Sequence, residues 1–319
     1  MKNRVMNKLT QFRHFVYSSA VLLVALVAFS NPVSAQALAA AGGMGPTLDK
    51  IAGSRILFAA YRDTAIPFSY VVSGEADAPI YGYSWEICGH IAKAVQERIG
   101  RDVKVVPVTV SANSRIMMLK VGMAQLECGA TTNNVARQKQ VAFSNTFYVA
   151  EVRVMVQKSS GIKRIADLAN KRVVTTLGTT ADRLIKQAAL ANNIVIQHLM
   201  GRSHSESMDM VIRGQADAYV GDDAILAGVR ANSSLRDDLV FLDESLATEP
   251  YGIMLPRDDA AFKSVVDEAI VALMKSGEFE KIYDKWFVSP IPPKGANLQM
   301  PMSDKLKAAI ANPNDRPAN

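Results

Sequence analysis

From Ile56 onwards, apolar runs of strand length alternate with stretches whose apolar residues recur at helical spacing. That alternation restricts the chain to layered α/β architecture and excludes a β-sandwich or a helical bundle. Ile56 to Tyr61 reads as a strand. Ser84 to Ile99 sets Trp85, Cys88, Ile91, Ala92, Val95 and Ile99 on one helical face, with Gly100 as the stop. Lys104 to Val110 is rich in β-branched residues and reads as a strand. Arg115 to Val121 reads as a short helix ended by Gly122, and Ala124 to Glu127 as a further strand.

The same order restarts after Glu151, with Val152 to Gln157 and Arg172 to Leu177 as strands around a short helix at Ile165 to Leu168. Gly178-Thr179-Thr180 then opens a helix whose exposed amides favour anions. Ser203 and Glu206 stand at capping-box spacing before Met208, Val211 and Ile212. Ala216 to Val220 is strand-like, and Asp222-Asp223 introduces a helix over Ala224 to Ala231. Gly252 to Leu255 reads as a last strand before the helical stripe Phe262, Val265, Val266, Ala269, Ile270 and Leu273. The closing elements need a sheet to cover, and the second set is complete by Glu249, so they belong with the first. The expected organisation is two lobes, residues 36–149 with 250–319 and residues 150–249. The chain crosses between them twice, at Val149 to Val152 and Ala247 to Tyr251, to form a hinge. The tail, with Pro290-Ile291-Pro292-Pro293 and a capped helix after Ser303, reads as a packed extension and a frayed end.

The opening residues are excluded from the fold. Lys2, Arg4, Lys8 and Arg13 precede an apolar run from Phe15 to Phe29, and small residues before Gln36 and Leu38 fit a signal-peptidase site. Removing residues 1–35 takes four cations and no acid, so 36 Lys and Arg fall to 32, against 30 Asp and Glu. The basic balance is thus a targeting feature, and nucleic acid or an anionic membrane surface is not the expected partner. The remaining 284 residues, from a chain that is 49% apolar, suffice for two domains of ordinary size. Cys88 and Cys128 are the only cysteines. In an oxidising compartment they are expected to form a disulfide, two buried free thiols being the other reading. His90, His198 and His204 are too scattered for a zinc motif, and neither a metal nor a cofactor is expected. The chain has no Gly-x-Ser-x-Gly elbow, no His-Glu-x-x-His pair and no phosphate-binding loop.

Several segments, taken in order, resemble one family: Arg62 with Ile66-Pro67-Phe68-Ser69-Tyr70, Glu127 to Asn134 through Arg137-Gln138-Lys139-Gln140, Ala142-Phe143-Ser144, Gly178-Thr179-Thr180, Asp222-Asp223-Ala224, Tyr283-Asp284-Lys285-Trp286-Phe287 and Ile291-Pro292-Pro293-Lys294. They resemble the periplasmic glutamate/aspartate-binding proteins of ABC-type amino-acid importers, over Thr47 to Asp315. The resemblance implies a type II periplasmic-binding-protein fold and a monomeric, non-enzymatic carrier that delivers its ligand to permease and ATPase subunits. It also implies ligand-contacting residues. Arg137 and Thr132 would hold the α-carboxylate, Asp222 the ammonium, and Arg62, Arg115 and His204 the distal carboxylate, with a hydroxyl and an amide from Thr180. A guanidinium suits a carboxylate because its planar fork makes two parallel hydrogen bonds. Without the resemblance, each arginine reads as a solvated surface residue, His204 as a polar helix start, and Asp222 as a helix cap.

The chain departs from the family pattern twice. Ala130 stands where a serine is common, so a hydroxyl is missing and the backbone carbonyl remains. Thr109 to Arg115 is two residues longer than usual, which leaves Ser111 or Ser114 as the serine nearest the ligand. A neutral or amide amino acid as ligand, and an enzyme resembling cyclohexadienyl dehydratases, are the competing readings. Mass spectrometry of exported protein is expected to find a mature chain beginning at Gln36 or Leu38.

Overall fold

The apolar runs pair into two five-stranded sheets, one in each lobe. The computed structural model describes residues 43–72 and 78–319, so the leader expected over residues 1–35 lies outside the described residues. In chain order the strands are β1 (Ile56–Arg62), β2 (Thr64–Ala65), β3 (Ser69–Val71), β4 (Ile80–Tyr81), β5 (Lys104–Val110), β6 (Leu126–Glu127) and β7 (Ala142–Phe143). After them come β8 (Tyr148–Gln157), β9 (Arg172–Thr176), β10 (Gln197–Gly201), β11 (Ala218–Asp222), β12 (Leu239–Tyr251) and β13 (Met254–Leu255). The first sheet has the order β5-β1-β6-β13-β7, in which β1 is parallel to β5 and β6 and β13 is antiparallel to both its neighbours. The second has the order β10-β9-β11-β8-β12, with β9 parallel to β10 and β11, and β8 antiparallel to β11 and β12. β2, β3 and β4 make a small sheet of their own.

The helices over Tyr83–Ile99 and Ala260–Ser276 cover the first sheet and stop at Gly100 and Gly277, both in the left-handed conformation that glycine adopts without a Cβ penalty. Ile87, Ile91, Val95, Phe262, Val266 and Ile270 are fully buried in this core. Cys88 and Cys128 are joined by a disulfide that ties the Tyr83–Ile99 helix to the residue following β6. On a chain-entropy account, a loop of this length contributes about 4 kcal/mol.

One antiparallel ribbon belongs to both lobes. Tyr148 at the start of β8 and Tyr251 at the end of β12 sit in the first lobe's core, against Phe68 at ring distances of 4.9 and 5.2 Å. Further along the same strand, Val152, Val154 and Val156 sit in the second lobe's core. The two strands pair from Tyr251 opposite Tyr148 to Ala247 opposite Val152, with register shifts beyond, between Phe241 and Ala247.

The expectation of a frayed tail is corrected. Ser303 caps the helix Asp304–Ala311 by accepting from the Leu306 amide at 3.2 Å, and Lys305 reaches Glu151 and Thr248 across the ribbon. Ala318 then pairs with the segment after β6: its N–H donates to Asn133 O at 2.9 Å, and its carbonyl accepts from Val135 N at 3.1 Å. Asn133 is 1% exposed, so its backbone needs a partner other than water, and the tail supplies it.

The lobes touch. Ala224 and Ile225, from the second-lobe helix Asp223–Ala231, pack in the first lobe's core. A Cβ on Gly228 of that helix would lie 2.4 Å from Ile66 O, and one on Gly178 would lie 2.7 Å from Asn113 N and Cα. Gly178 also has φ +81. Gly178→Ala is therefore expected to prop the lobes apart. Small-angle scattering should give a larger radius of gyration than wild type, while stability falls by only about 1 kcal/mol, the ordinary cost of a positive φ at alanine.

Candidate ligand-binding site

The residues singled out from the sequence gather at the carboxyl ends of parallel strands in both sheets. Arg62 ends β1, Ser111 and Arg115 follow β5, and Ala130, Thr132 and Arg137 follow β6. Thr180 follows β9, His204 follows β10, and Asp222 ends β11. Loops that leave these ends meet in the crevice of an open α/β sheet, which is where such folds bind ligands. The ribbon brings the two crevices face to face.

Two cations lie deep in the first lobe's side. Arg62 and Arg115 are each 2% exposed. Arg115 Nη1 donates to the Ala130 carbonyl at 2.9 Å, so the carbonyl left available by the missing serine hydroxyl is engaged. Arg62 Nε and Nη1 and Arg115 Nε are buried and have no partner among the described residues. Burial, and then the Arg115 charge, pull the Arg62 pKa down to about 10. Glu127, fully buried, accepts from Thr131 Oγ1 at 2.7 Å through one oxygen, while its other oxygen has no partner among the described residues. His204 Nδ1 lies 2.9 Å from Tyr219 Oη and 3.2 Å from Thr176 Oγ1. Burial and the charges of Arg62 and Arg115 hold His204 well below the usual imidazole pKa, so it is neutral near pH 7.

The other half of the cluster joins the lobes. Asn134 caps the short helix Val135–Gln138 by accepting from the Arg137 amide. The Arg137 guanidinium donates through Nη1 to Thr132 O at 2.8 Å and through Nη2 to Gly178 O in the other lobe at 3.3 Å. Burial and the Arg115 charge lower its pKa to about 10. Thr132 Oγ1 and Thr180 Oγ1 each donate to Glu249 Oε2 at 2.7 Å. Asp222 occupies the cap position of the helix Asp223–Ala231, yet makes no cap hydrogen bond; its carboxylate instead accepts from the Tyr251 hydroxyl. Burial, and then the nearby Glu249, push Asp222 up to about 7.

Ser111 is not brought in. It is exposed, and its hydroxyl lies 3.1 Å from Ser114 Oγ. Conversely, Glu127, Tyr219, Glu249 and Tyr251 belong to the cluster and were not singled out as site residues from the sequence. Each predicted crossing carries one acid, Glu151 and Glu249, and nothing in the sequence separates the buried Glu249 from Glu151.

Three guanidinium groups with unused donors stand among three carboxylates, Glu127, Asp222 and Glu249, an arrangement whose unsatisfied donors and acceptors suit a small polar zwitterion. Residues 57–289 match the bacterial extracellular solute-binding proteins, family 3, and the chain belongs to that family; its close relatives are transport binding proteins, not enzymes. It is 38% identical over 95% of its length to the glutamate/aspartate import solute-binding protein of Escherichia coli K12, covering 98% of that protein. It is 41% identical over 94% of its length to the L-glutamate/L-aspartate-binding protein of Pseudomonas aeruginosa, covering 97% of it. Among solved structures, the cysteine-binding protein of Campylobacter jejuni superimposes with a TM-score of 0.65 at 25% identity, over 75% of this chain and 92% of that one. An ancestral arginine-binding protein bound to arginine gives 0.64 at 26% identity, over 73% and 98%. These neighbours are two-lobed amino-acid-binding proteins of the type II periplasmic fold.

The raised Asp222 pKa sets a pH dependence. Between its ordinary 3.8 and about 7, the folded protein holds a proton that the unfolded chain has lost, so this group's contribution to stability falls as pH rises through that window. Asp222→Asn removes the effect. In ligand-free protein, urea denaturation is expected to show the variant gaining on wild type between pH 5 and pH 8, by on the order of 1 to 2 kcal/mol.

Proposed function

We propose that this chain captures an acidic amino acid, glutamate or aspartate, between its two lobes in the periplasm and delivers it to the permease and ATPase subunits of an ABC importer. The observation that carries this reading is the buried pair Arg62 and Arg115: both Nε atoms, and Nη1 of Arg62, have no partner among the described residues. Any α-amino acid needs one cation for its carboxylate and one anion for its ammonium, and Arg137 with Asp222 supplies those. The additional guanidinium groups have no use for a neutral side chain, which would leave them desolvated and unpaired, whereas a distal carboxylate meets their donors. The names of the E. coli and P. aeruginosa relatives agree with this ligand class. In this reading residues 36–149 with 250–319 and residues 150–249 are the moving bodies and the β8–β12 ribbon is the hinge. Thr132 and Thr180 face the α-carboxylate with their backbone amides while their hydroxyls hold Glu249, neutral His204 adds a hydrogen bond beside Arg62 and Arg115, and the carrier works as a monomer after its leader is removed.

Calorimetric competition on protein stripped of carried-over ligand tests the reading. Wild type is expected to prefer glutamate or aspartate to every neutral amino acid. Arg62→Ala and Arg115→Ala should each weaken the acidic ligands by about 10- to 100-fold, the range for a lost charge-assisted hydrogen bond, and weaken glutamine much less. Arg137→Ala should weaken all amino acids alike. Equal losses for glutamate and glutamine at Arg62 and Arg115 would sink the side-chain assignment.

A further inference from the structure

The hydroxyls of Thr132 and Thr180, from opposite lobes, are engaged by the same atom, Oε2 of Glu249. Glu249 is 2% exposed and lies on β12 opposite Ala150, in the ribbon common to both lobes. Two residues along, Tyr251 donates its hydroxyl to Asp222, so the two carboxylates are held by one strand. Their charges oppose each other. Among the described residues no donor reaches Glu249 Oε1 or Asp222 Oδ1, so each acid keeps an unused oxygen. Two hydroxyl donors solvate a buried carboxylate without neutralising it. Arg137 is the neighbouring cation, but both its Nη atoms donate to backbone carbonyls. The charge these acids lack is one positive group placed between them.

We infer that Glu249 is a second anchor for the ligand's ammonium, sharing it with Asp222, and that its grip on Thr132 and Thr180 links that ammonium to closure of the lobes. This rests on the amino-acid reading above. An ammonium carries three N–H donors and can serve two carboxylates at once. It relieves the repulsion between Asp222 and Glu249, and the hydroxyl of Thr180, from the second lobe, holds the same Glu249 carboxylate. A dicarboxylate without an amino group satisfies the arginines and leaves the two acids opposed, so the site discriminates against it on the acid side of the cleft.

The test compares glutamate with glutarate, which has the same two carboxylates and no ammonium, on wild type and Glu249→Gln. The amide keeps the shape and removes the charge. Glutamate affinity is expected to fall tenfold or more while glutarate affinity holds or rises, so that the preference for glutamate over glutarate narrows by at least tenfold. Equal losses for both ligands would overturn the inference, since Glu249 would then only position the two threonines. A gain in glutamate affinity would also overturn it, because Glu249 would then be occupying the place of a ligand carboxylate. If the amide variant fails to fold, Glu249→Asp withdraws the charge by one methylene and should narrow the same ratio; an unchanged ratio there overturns the proposal. A wild type that prefers another amino acid defeats the ligand assignment instead, and Glu249 is then judged by the same ratio between that amino acid and its deaminated counterpart.

Discussion

Arg62 and Arg115 are buried side by side with donors left over, and the rest of the molecule is arranged around that unfavourable choice. Removing one ion from water costs several kcal/mol even after the protein relaxes, and two like charges in one cleft add to it. Among the described residues, no direct ion pair answers these charges. Glu127 and Glu249 are held chiefly by threonine hydroxyls and Asp222 by a tyrosine. The cluster is therefore close to balanced in charge and unsatisfied in hydrogen bonds. Such a site is stable enough to fold and unsaturated enough to bind.

The fold makes this possible by dividing the labour between sheet ends. Backbone ladders fix where β1, β6, β9 and β11 stop, and the side chains that follow inherit those positions without needing contacts of their own. The ribbon of β8 and β12 does a different job. Anchored by Tyr148 and Tyr251 in one core and by the alternate valines of β8 in the other, it passes through the middle of the site and carries Glu249 there.

Much of the architecture was legible in the sequence because periodicity reports on burial, and burial is what the helices and strands obey. The helix from Tyr83 to Ile99 and the strand from Ile56 follow directly from the spacing of their apolar residues. The cations of the site were legible only through resemblance, since nothing in the spacing of Arg62, Arg115 and Arg137 distinguishes them from surface residues. Glu249 escaped because, between Thr248 and Pro250 in a predicted crossing, no apolar period marks it as buried; its partners are separated from it by 117 and 69 residues. Ser111 was singled out, with Ser114 as the alternative, by the family spacing between Thr109 and Arg115, but its backbone turn pairs it with Ser114 and leaves it in water. The tail was misjudged for a related reason. Its composition suggests a loose end, while its order comes from an edge presented by Asn133 and Asn134, which no local pattern in the tail announces.

The glycines at the lobe boundary have a mechanical consequence. Gly178 meets the backbone at Asn113, Gly228 meets the backbone at Ile66, and the ribbon joins the lobes at a third place. Backbone against backbone is a hard stop, with no flexible side chain to absorb an error. Three supports determine a plane, so the shut position is seated as a lid is seated on three feet. On the proposed closing motion, a solute too bulky for the space would lift the lid off at least one foot, and size would be read by the seating itself, independently of any charge in the cleft.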